Sequence, residues 1–295
     1  MKKLTKPALG LVLAVTASLI VAYAPASAQT PGIEIHRRSD GSAFVSDRKI
    51  IRVLVMGSDR RKDNSVEGQR ADAIHVISLN TETHKGSVIN IPRDSYVEIA
   101  PKRGKERINA ALELGGMETQ IKTIEDVVGF EVDFWAMTDF DGLIGLVNDI
   151  GGVTVDVPID MNDKGSGAIF KAGPNHLDGD KALALSRNRH LETGDFERTT
   201  NQTLLMLSIF KKLRDESAGR PNVVSYMDIL SRHIETDLKP AEMFQLMSVS
   251  FLADPANIVN YTMKGGTSTV NGASVVILSN NDSALEKIKK TGVPE

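Results

Sequence analysis

The sequence predicts an α/β domain, and three observations carry that prediction. Short apolar runs ending on charged turns crowd the first part of the chain, at residues 50–56, 73–79 and 85–91. Segments with apolar residues every three or four positions follow, several of them stopped by glycine. Of 295 residues, 41% are hydrophobic and 25% charged, which suits a folded core and argues against disorder.

Residues 50–56 (Ile-Ile-Arg-Val-Leu-Val-Met) read as a buried strand ending at Gly57. Residues 73–79 and 85–91 read as two more, and the short polar stretch Thr81-Glu82-Thr83-His84 between them favours a hairpin-like connection. All three end near charged loops, a common way to build a site at one edge of a sheet. Helices are expected over 109–114, ended by Gly115-Gly116, and over 119–128, ended by Gly129. Another over 140–150 ends at Gly151-Gly152, after which residues 153–157 alternate as a strand before Pro158. Residues 178–185 and 197–213 are helical, the latter apolar at Leu204, Leu205, Leu207, Ile209, Phe210 and Leu213. Helices over 223–233 and 240–251, a strand over 275–278 and a short terminal helix complete the set. No internal repeat or low-complexity tract interrupts residues 49–290, which read as one domain, and the polar, turn-rich stretch 29–48 reads as a linker.

The first 28 residues read as a signal peptide. Met1-Lys2-Lys3-Leu4-Thr5-Lys6 is basic, residues 8–24 are apolar, and Ala26-Ser27-Ala28 offers a small-x-small cleavage site before Gln29. The alternative is a short membrane anchor, at the short end of the roughly 20 residues that usually span a bilayer. Either way the domain is expected to be exported to the cell envelope, at the outer face of the cytoplasmic membrane or in a periplasm-like space. The absence of cysteine excludes disulfides, thiolate metal sites and cysteine nucleophiles. A net charge of -3 gives no electrostatic case for nucleic acid, so anion binding must come from local arginine clusters.

Two such clusters stand out. The first is Gly57-Ser58-Asp59-Arg60 with Arg70-Ala71-Asp72 and Ile91-Pro92-Arg93-Asp94; the second is Arg187-Asn188-Arg189 with Asp195-Phe196-Glu197-Arg198 and Gln202. Guanidinium forks suit phosphate oxygens, and carboxylates at a loop edge suit Mg²⁺, which takes one or two of them together with substrate phosphate oxygens. Asp59 and Asp72 are the candidate metal ligands; the bland alternative is that each caps a turn or pairs with Arg60, Arg61 or Arg70. Asp94 can orient Arg93, or the two form an ion pair of little consequence. Arg187 and Arg189, two apart, would share a side of an extended segment. Arg198 and Gln202, four apart, share a helix face near the helix start, where the dipole favours anions. Asp195 reads as that helix's N-cap. His75 sits in a strand and reads as structural, while His190 adjoins the arginine pair. No phosphate-binding glycine loop, zinc-protease pair or serine elbow is present.

In this order and spacing, these motifs resemble the LytR-CpsA-Psr family of bacterial cell-envelope proteins. Arg107-Ile108-Asn109-Ala110, Gly115-Gly116, Ile150-Gly151-Gly152-Val153, Leu177-Asp178-Gly179 and Ala182-Leu183 extend the resemblance. It implies a three-layer α/β/α sandwich around a mixed central sheet. It implies a Mg²⁺-dependent phosphotransferase that moves an anionic glycopolymer from a polyprenyl pyrophosphate carrier to peptidoglycan, releasing polyprenyl phosphate, with the lipid tail in an apolar pocket. By motif match, Asp59 and Asp72 would hold Mg²⁺, and Arg70, Arg93, Arg187, Arg189, Arg198 and Gln202 would bind the pyrophosphate. Arg93, Asp94, Arg189 and Arg198 are the candidate catalytic residues, Asp94 as a candidate base, and Asn109 is a candidate substrate ligand. Three positions depart from the family pattern: Asn90 for serine, Ser186 where an aromatic is common, and Asn201 for arginine. Competing readings are a non-catalytic polyprenyl-lipid binder and a polyprenyl pyrophosphate hydrolase.

Overall fold

The computed structural model describes residues 48–59, 69–188, 195–217, 222–279 and 282–294, all within one compact unit. Strand β1 (Ile50–Ser58) is the axis of the fold. Its Val/Ile/Leu-rich sequence suits a strand buried on both faces, and β1 is buried along nearly its whole length. It pairs antiparallel with β2 (Ala71–Asn80), which pairs antiparallel with β3 (Gly86–Asn90). The hairpin between β2 and β3 uses Asn80 as its clamp: its side-chain Oδ1 accepts from the backbone N–H groups of Glu82 and Thr83, at 3.0 Å each.

A small antiparallel pair, β4 (Tyr96–Glu98) and β5 (Lys105–Arg107), leads into a 3₁₀ turn (Ile108–Ala110) and helix α1 (Ala111–Val128). Here the expected stop at Gly115-Gly116 is instead an internal break. Both glycines leave helical geometry, Gly116 at φ 71°, and the helix then resumes to its left-handed cap at Gly129. Strand β6 (Phe134–Thr138) runs parallel to β1 on the side away from β2. Helix α2 (Phe140–Asp149) follows, capped by Asp139, whose carboxylate accepts from Gly142 N–H at 2.8 Å. Such a cap contributes about 1 kcal/mol. Strands β7 (Val153–Val157), β8 (Met161–Asp163), β9 (Ala168–Phe170) and β10 (Gly173–Leu177) form two antiparallel ribbons, β7 with β10 and β8 with β9. Helix α3 (Gly179–Arg187), capped by Asp178, and α4 (Asp195–Ser217) come next. The remaining elements are α5 (Asn222–His233), β11 (Glu235–Thr236), α6 (Pro240–Ser250), β12 (Ile258–Thr262), β13 (Gly265–Val270), β14 (Ala273–Leu278) and α7 (Ser283–Thr291).

The central sheet has the order β11-β6-β1-β2-β3-β12 and mixes parallel and antiparallel pairs. Its alternating side chains feed two cores. Leu54, Met56, Ile74, Val76 and Ile89 pack on Leu112, Ile124 and Val128 of α1 and on Leu285 and Ile288 of α7. Ile51, Val53 and Phe134 point the other way, against Leu246 and Val249 of α6. Helices thus cover both faces, as a three-layer α/β/α sandwich requires. Each fully buried Leu or Ile side chain contributes roughly 1.5–3 kcal/mol relative to exposure. Beside these layers, the β7–β10 ribbons close on α2, α3 and α4 through Val155, Leu177, Leu185 and Leu205.

The start of β1 is pinned by buried charge. Asp133 takes the Arg52 N–H at 2.6 Å and pairs with Arg48 Nη1 at 3.2 Å. The Arg52 guanidinium lies 4.3 Å from the Phe130 ring centroid and donates to Lys289 O, tying β1 to α7. The other end of β1 is left for the site.

Candidate functional site

The site forms where β1 ends, β2 begins and β3 ends, which in an antiparallel trio is one edge of the sheet. Asp59 follows β1 directly, Arg70 precedes β2, and Arg93 and Asp94 follow β3 after Ile91-Pro92. The β1–β2 register slips at this edge. Gly57 pairs with Ala73 and Ser58 with Ala71, so Asp72 is an extra, unpaired residue of β2. A bulge of this kind re-aims a side chain, here toward Arg93. The turn bearing Arg93 is fixed by Ser95, whose N–H and hydroxyl both donate to Pro92 O, at 2.9 and 2.6 Å.

The central contact is Arg93 Nη1 to Asp72 Oδ1 at 2.6 Å. Asp94, expected to orient Arg93, lies 3.8 Å from Arg93 Nε and 3.5 Å from Arg107 Nη1. Asp72, from the neighbouring strand, is therefore the carboxylate that orients Arg93. Arg70 Nε donates to Glu113 Oε2 at 2.7 Å, which anchors its guanidinium to the start of α1. Asp59, Arg70, Asp72, Arg93, Asp94, Arg107 and Asn109 together line an open cleft of about 360 Å³. Asn109 is almost completely buried, its N–H donating to Arg93 O at 3.2 Å.

The second sequence cluster reaches the same place through α4. Arg198 is buried, and its Nη2 donates to the backbone carbonyl of Asp72 at 3.2 Å, across 126 positions of sequence. One turn further on, Gln202 Nε2 donates to Ser186 O at 3.2 Å, joining the end of α3 to α4. Arg187 closes α3 as its last helical residue, so the extended segment expected there begins only at Asn188. Its guanidinium sits 5.2 Å from the Phe140 ring centroid, a cation–π placement that positions it without consuming its N–H donors. Asp195 is the first residue of α4 where an N-cap was expected, and its side chain lies outside the described residues. Arg60, Arg61, Arg189 and His190 also lie outside them.

Beneath the cleft runs a buried polar network. His75 Nδ1 meets Asn90 Oδ1 at 2.7 Å, and Asn90 Oδ1 also accepts from Thr203 of α4 at 2.9 Å. The Asn90 amide nitrogen reaches Asn260 and Thr262 of β12. Asn90, one of the departures from the family pattern, is thus the hub tying β2, β3, β12 and α4 together under the site. Burial pushes the His75 pKa below the ordinary imidazole value, and the charge of Arg198 adds to this; hydrogen bonds to Asn90 and Gln202 oppose it. His75 is structural, as the sequence led us to expect.

Two residues had no role in the sequence reading: Arg107, which lines the cleft, and Glu113, which anchors Arg70. Arg107 occurs in one of the family motifs, but only the β4–β5 pairing carries it into the cleft. Glu113 gave no signal at all, because its partner lies 43 positions away.

The sequence pattern of the LytR_cpsA_psr family matches residues 19–292. The polyisoprenyl-teichoic acid–peptidoglycan teichoic acid transferase TagU of Bacillus mycoides (strain KBAB4) is 31% identical over 209 residues, covering 70% of this chain and 66% of TagU. The chain therefore spans just under two thirds of that relative's length. The crystal structure of B. subtilis TagV superposes with a TM-score of 0.69 at 27% identity, covering 82% of this chain and 95% of TagV. A structure of TagT bound to LI-WTA has the same fold, with a TM-score of 0.68 at 21% identity over 89% of this chain and 96% of TagT. With the arginine and aspartate motifs gathered at one sheet edge, these matches place the chain in the LytR_cpsA_psr family.

Proposed function

We propose that this protein is a Mg²⁺-dependent phosphotransferase that moves an anionic glycopolymer from a polyprenyl pyrophosphate carrier to peptidoglycan. One observation carries the reading: Arg93 and Arg198, from clusters over a hundred residues apart, both converge on Asp72 at the rim of one cleft. A folding role alone does not call for three arginines and three aspartates lining one open cleft with Asn109. The relatives named above, which act on teichoic acid and peptidoglycan by their names, support the same chemistry.

The donor set fits the metal. Mg²⁺ takes one or two carboxylates and completes its shell with water and substrate phosphate oxygens. Asp59 is exposed on the cleft, and Asp72 engages Arg93 through one oxygen only, so both can serve. Mg²⁺ bound there would neutralise charge on the pyrophosphate oxygens.

The chain's own residues do the rest. Arg70, Arg93, Arg198, Arg187 and Arg189 bind and orient the pyrophosphate, with Gln202 fixing the α3–α4 junction beside them. An acceptor hydroxyl of peptidoglycan attacks the phosphorus that bears the glycopolymer. The new P–O bond makes the phosphodiester, the bridging P–O bond breaks, and polyprenyl phosphate leaves. The hydroxyl proton passes to Asp94, whose carboxylate is held only by contacts of 3.5 and 3.8 Å. Arg93 stabilises the growing charge, the contribution that dominates phosphoryl transfer. Partly exposed Val55, Leu246 and Val249 on the α6 face offer an apolar surface to the prenyl tail. The substrates place the protein at the outer face of the cytoplasmic membrane, with residues 1–28 directing export or anchoring and 29–48 as the linker. No helix among the described residues is long and apolar enough to cross a membrane.

The test incubates purified protein with a glycopolymer-bearing polyprenyl pyrophosphate and a peptidoglycan acceptor, with and without Mg²⁺. We expect acceptor-dependent release of polyprenyl phosphate that requires Mg²⁺ and is lost in Arg93→Ala. Tight lipid binding without transfer to any acceptor would identify a binder instead, and release without an acceptor would identify a hydrolase.

A further inference from the structure

The cleft wall contributed by the turn after β3, the end of β5 and the 3₁₀ turn differs chemically from the rest of the site. Asn109 is about 4% exposed and lines the cleft, yet its Oδ1 is buried without a hydrogen-bond partner. A buried acceptor left unpaired costs about 1–3 kcal/mol, so its position calls for a donor. Beside it, Asp94 presents a second acceptor, touched only at 3.5 Å by Arg107 and at 3.8 Å by Arg93. Ionised phosphoryl oxygens are acceptors too, and these two groups repel them. A sugar hydroxyl is a donor, and it satisfies both.

Arg107 stands between the two kinds of chemistry. Its Nη1 faces Asp94, while its Nε is buried without a hydrogen bond, Glu106 Oε1 lying 3.9 Å away. β5 holds it there by pairing Arg107 with Tyr96, and the backbone of the next residues is locked to the Arg93 turn through Ile108 N–H to Ser95 O and Asn109 N–H to Arg93 O. The wall is therefore registered to the catalytic turn by main-chain bonds.

Resting on the transferase reading above, we propose that Asp94, Arg107 and Asn109 form the subsite for the acceptor sugar. One acceptor hydroxyl donates to Asn109 Oδ1, and this orients the sugar so that the attacking hydroxyl donates to Asp94. Arg107 is a positioning residue: it holds the Asp94 carboxylate in line and balances its negative charge until the proton arrives. The donor pyrophosphate is served by the other arginines.

The test is steady-state transfer kinetics in which donor and peptidoglycan-oligosaccharide acceptor are varied separately. Asn109→Ala is expected to raise the acceptor KM by roughly 5- to 10-fold, the worth of one neutral hydrogen bond, with the donor KM unchanged. In a series of mono-deoxy acceptors, the one lacking the hydroxyl bound by Asn109 should slow the wild type but not Asn109→Ala. Arg107→Ala should lower kcat for transfer by roughly tenfold or more at saturating donor, and Arg107→Lys should recover part of it. Thermal melts and donor-binding titrations of each variant separate these effects from misfolding. A raised donor KM, weakened Mg²⁺ binding, or unchanged acceptor kinetics in folded Asn109→Ala would overturn the subsite. A wild type that transfers to no acceptor would instead overturn the transferase reading itself.

Discussion

Arg93→Ala separates a functional ion pair from a structural one. The Arg93–Asp72 pair is short, at 2.6 Å, but the two side chains keep 19% and 29% of their exposure. It sits between an exposed pair, worth about 0–1 kcal/mol, and a buried one, whose breaking costs about 3–5 kcal/mol. The carboxylate left behind is partly hydrated, and the Arg198 donation goes to the Asp72 backbone, which the substitution leaves in place. We therefore expect a stability loss of about 1–2 kcal/mol, which in a domain of this size lowers Tm by only a few degrees. Transfer activity should fall far more, by about 10²–10³, the usual loss when one preorganised charge donor is removed from a transition state. Denaturant unfolding gives the first number and saturating kcat the second. A stability loss above about 4 kcal/mol with a matching fall in soluble protein would show that the pair is architectural. Full activity in a folded Arg93→Ala would remove Arg93 from the chemistry and refute the reasoning outright.

Three further outcomes follow from the geometry. Mg²⁺ at 100 times its Kd should stabilise the wild type by about 2.7 kcal/mol; this shift should vanish in Asp72→Asn and persist in Arg93→Ala, and differential scanning fluorimetry would detect a failure of either. His75 has its pKa lowered by burial, so the unfolded chain binds its proton first. Its contribution is complete above the unfolded value near 6.5 and is lost as pH falls, at up to about 1.4 kcal/mol per pH unit; His75→Gln should flatten that part of the stability–pH curve. Gly152 lies at φ +79°, and a Cβ there would meet His176 Nε2 at 2.6 Å and Leu177 O at 2.9 Å. Gly152→Ala should cost upward of about 1–2 kcal/mol in urea unfolding without altering the donor KM, because it strains the junction between α2 and β7 away from the cleft.

The elements legible in the sequence are those whose pattern is local. The strands at β1, β2 and β3 announce themselves by short apolar runs, and α2 by helical apolar spacing that stops at Gly151-Gly152. Among the strands that escaped notice, β5 is Lys-Glu-Arg and β13 is Gly-Gly-Thr-Ser-Thr-Val, formed because β14 lies beside it, while β6 is the apolar Phe-Trp-Ala-Met-Thr, fixed by its pairing with β1. The double glycine at 115–116 carries a correct signal for leaving helical geometry, but nothing local says that the helix resumes after it. Resumption is set by Ile124 and Val128 packing on the sheet, a tertiary effect.

The site divides along the same line. Residue types and spacing were enough to nominate Asp59, Asp72, Arg93 and Arg198, because phosphate and metal chemistry restricts which side chains can serve. Which carboxylate orients which arginine was not legible. Asp94 is the neighbour in sequence, yet a one-residue bulge in β2 turns Asp72 toward Arg93 and releases Asp94. That exchange gives the site its division of labour. Had Asp94 been the tight partner of Arg93, its carboxylate would be occupied and no base would face the acceptor. With Asp72 holding the arginine, Asp94 is left at 3.5 Å from Arg107, beside the unpaired carbonyl of Asn109. Deleting Ala71, which removes the bulge and restores regular β1–β2 pairing, should therefore abolish transfer even though every site residue is still present.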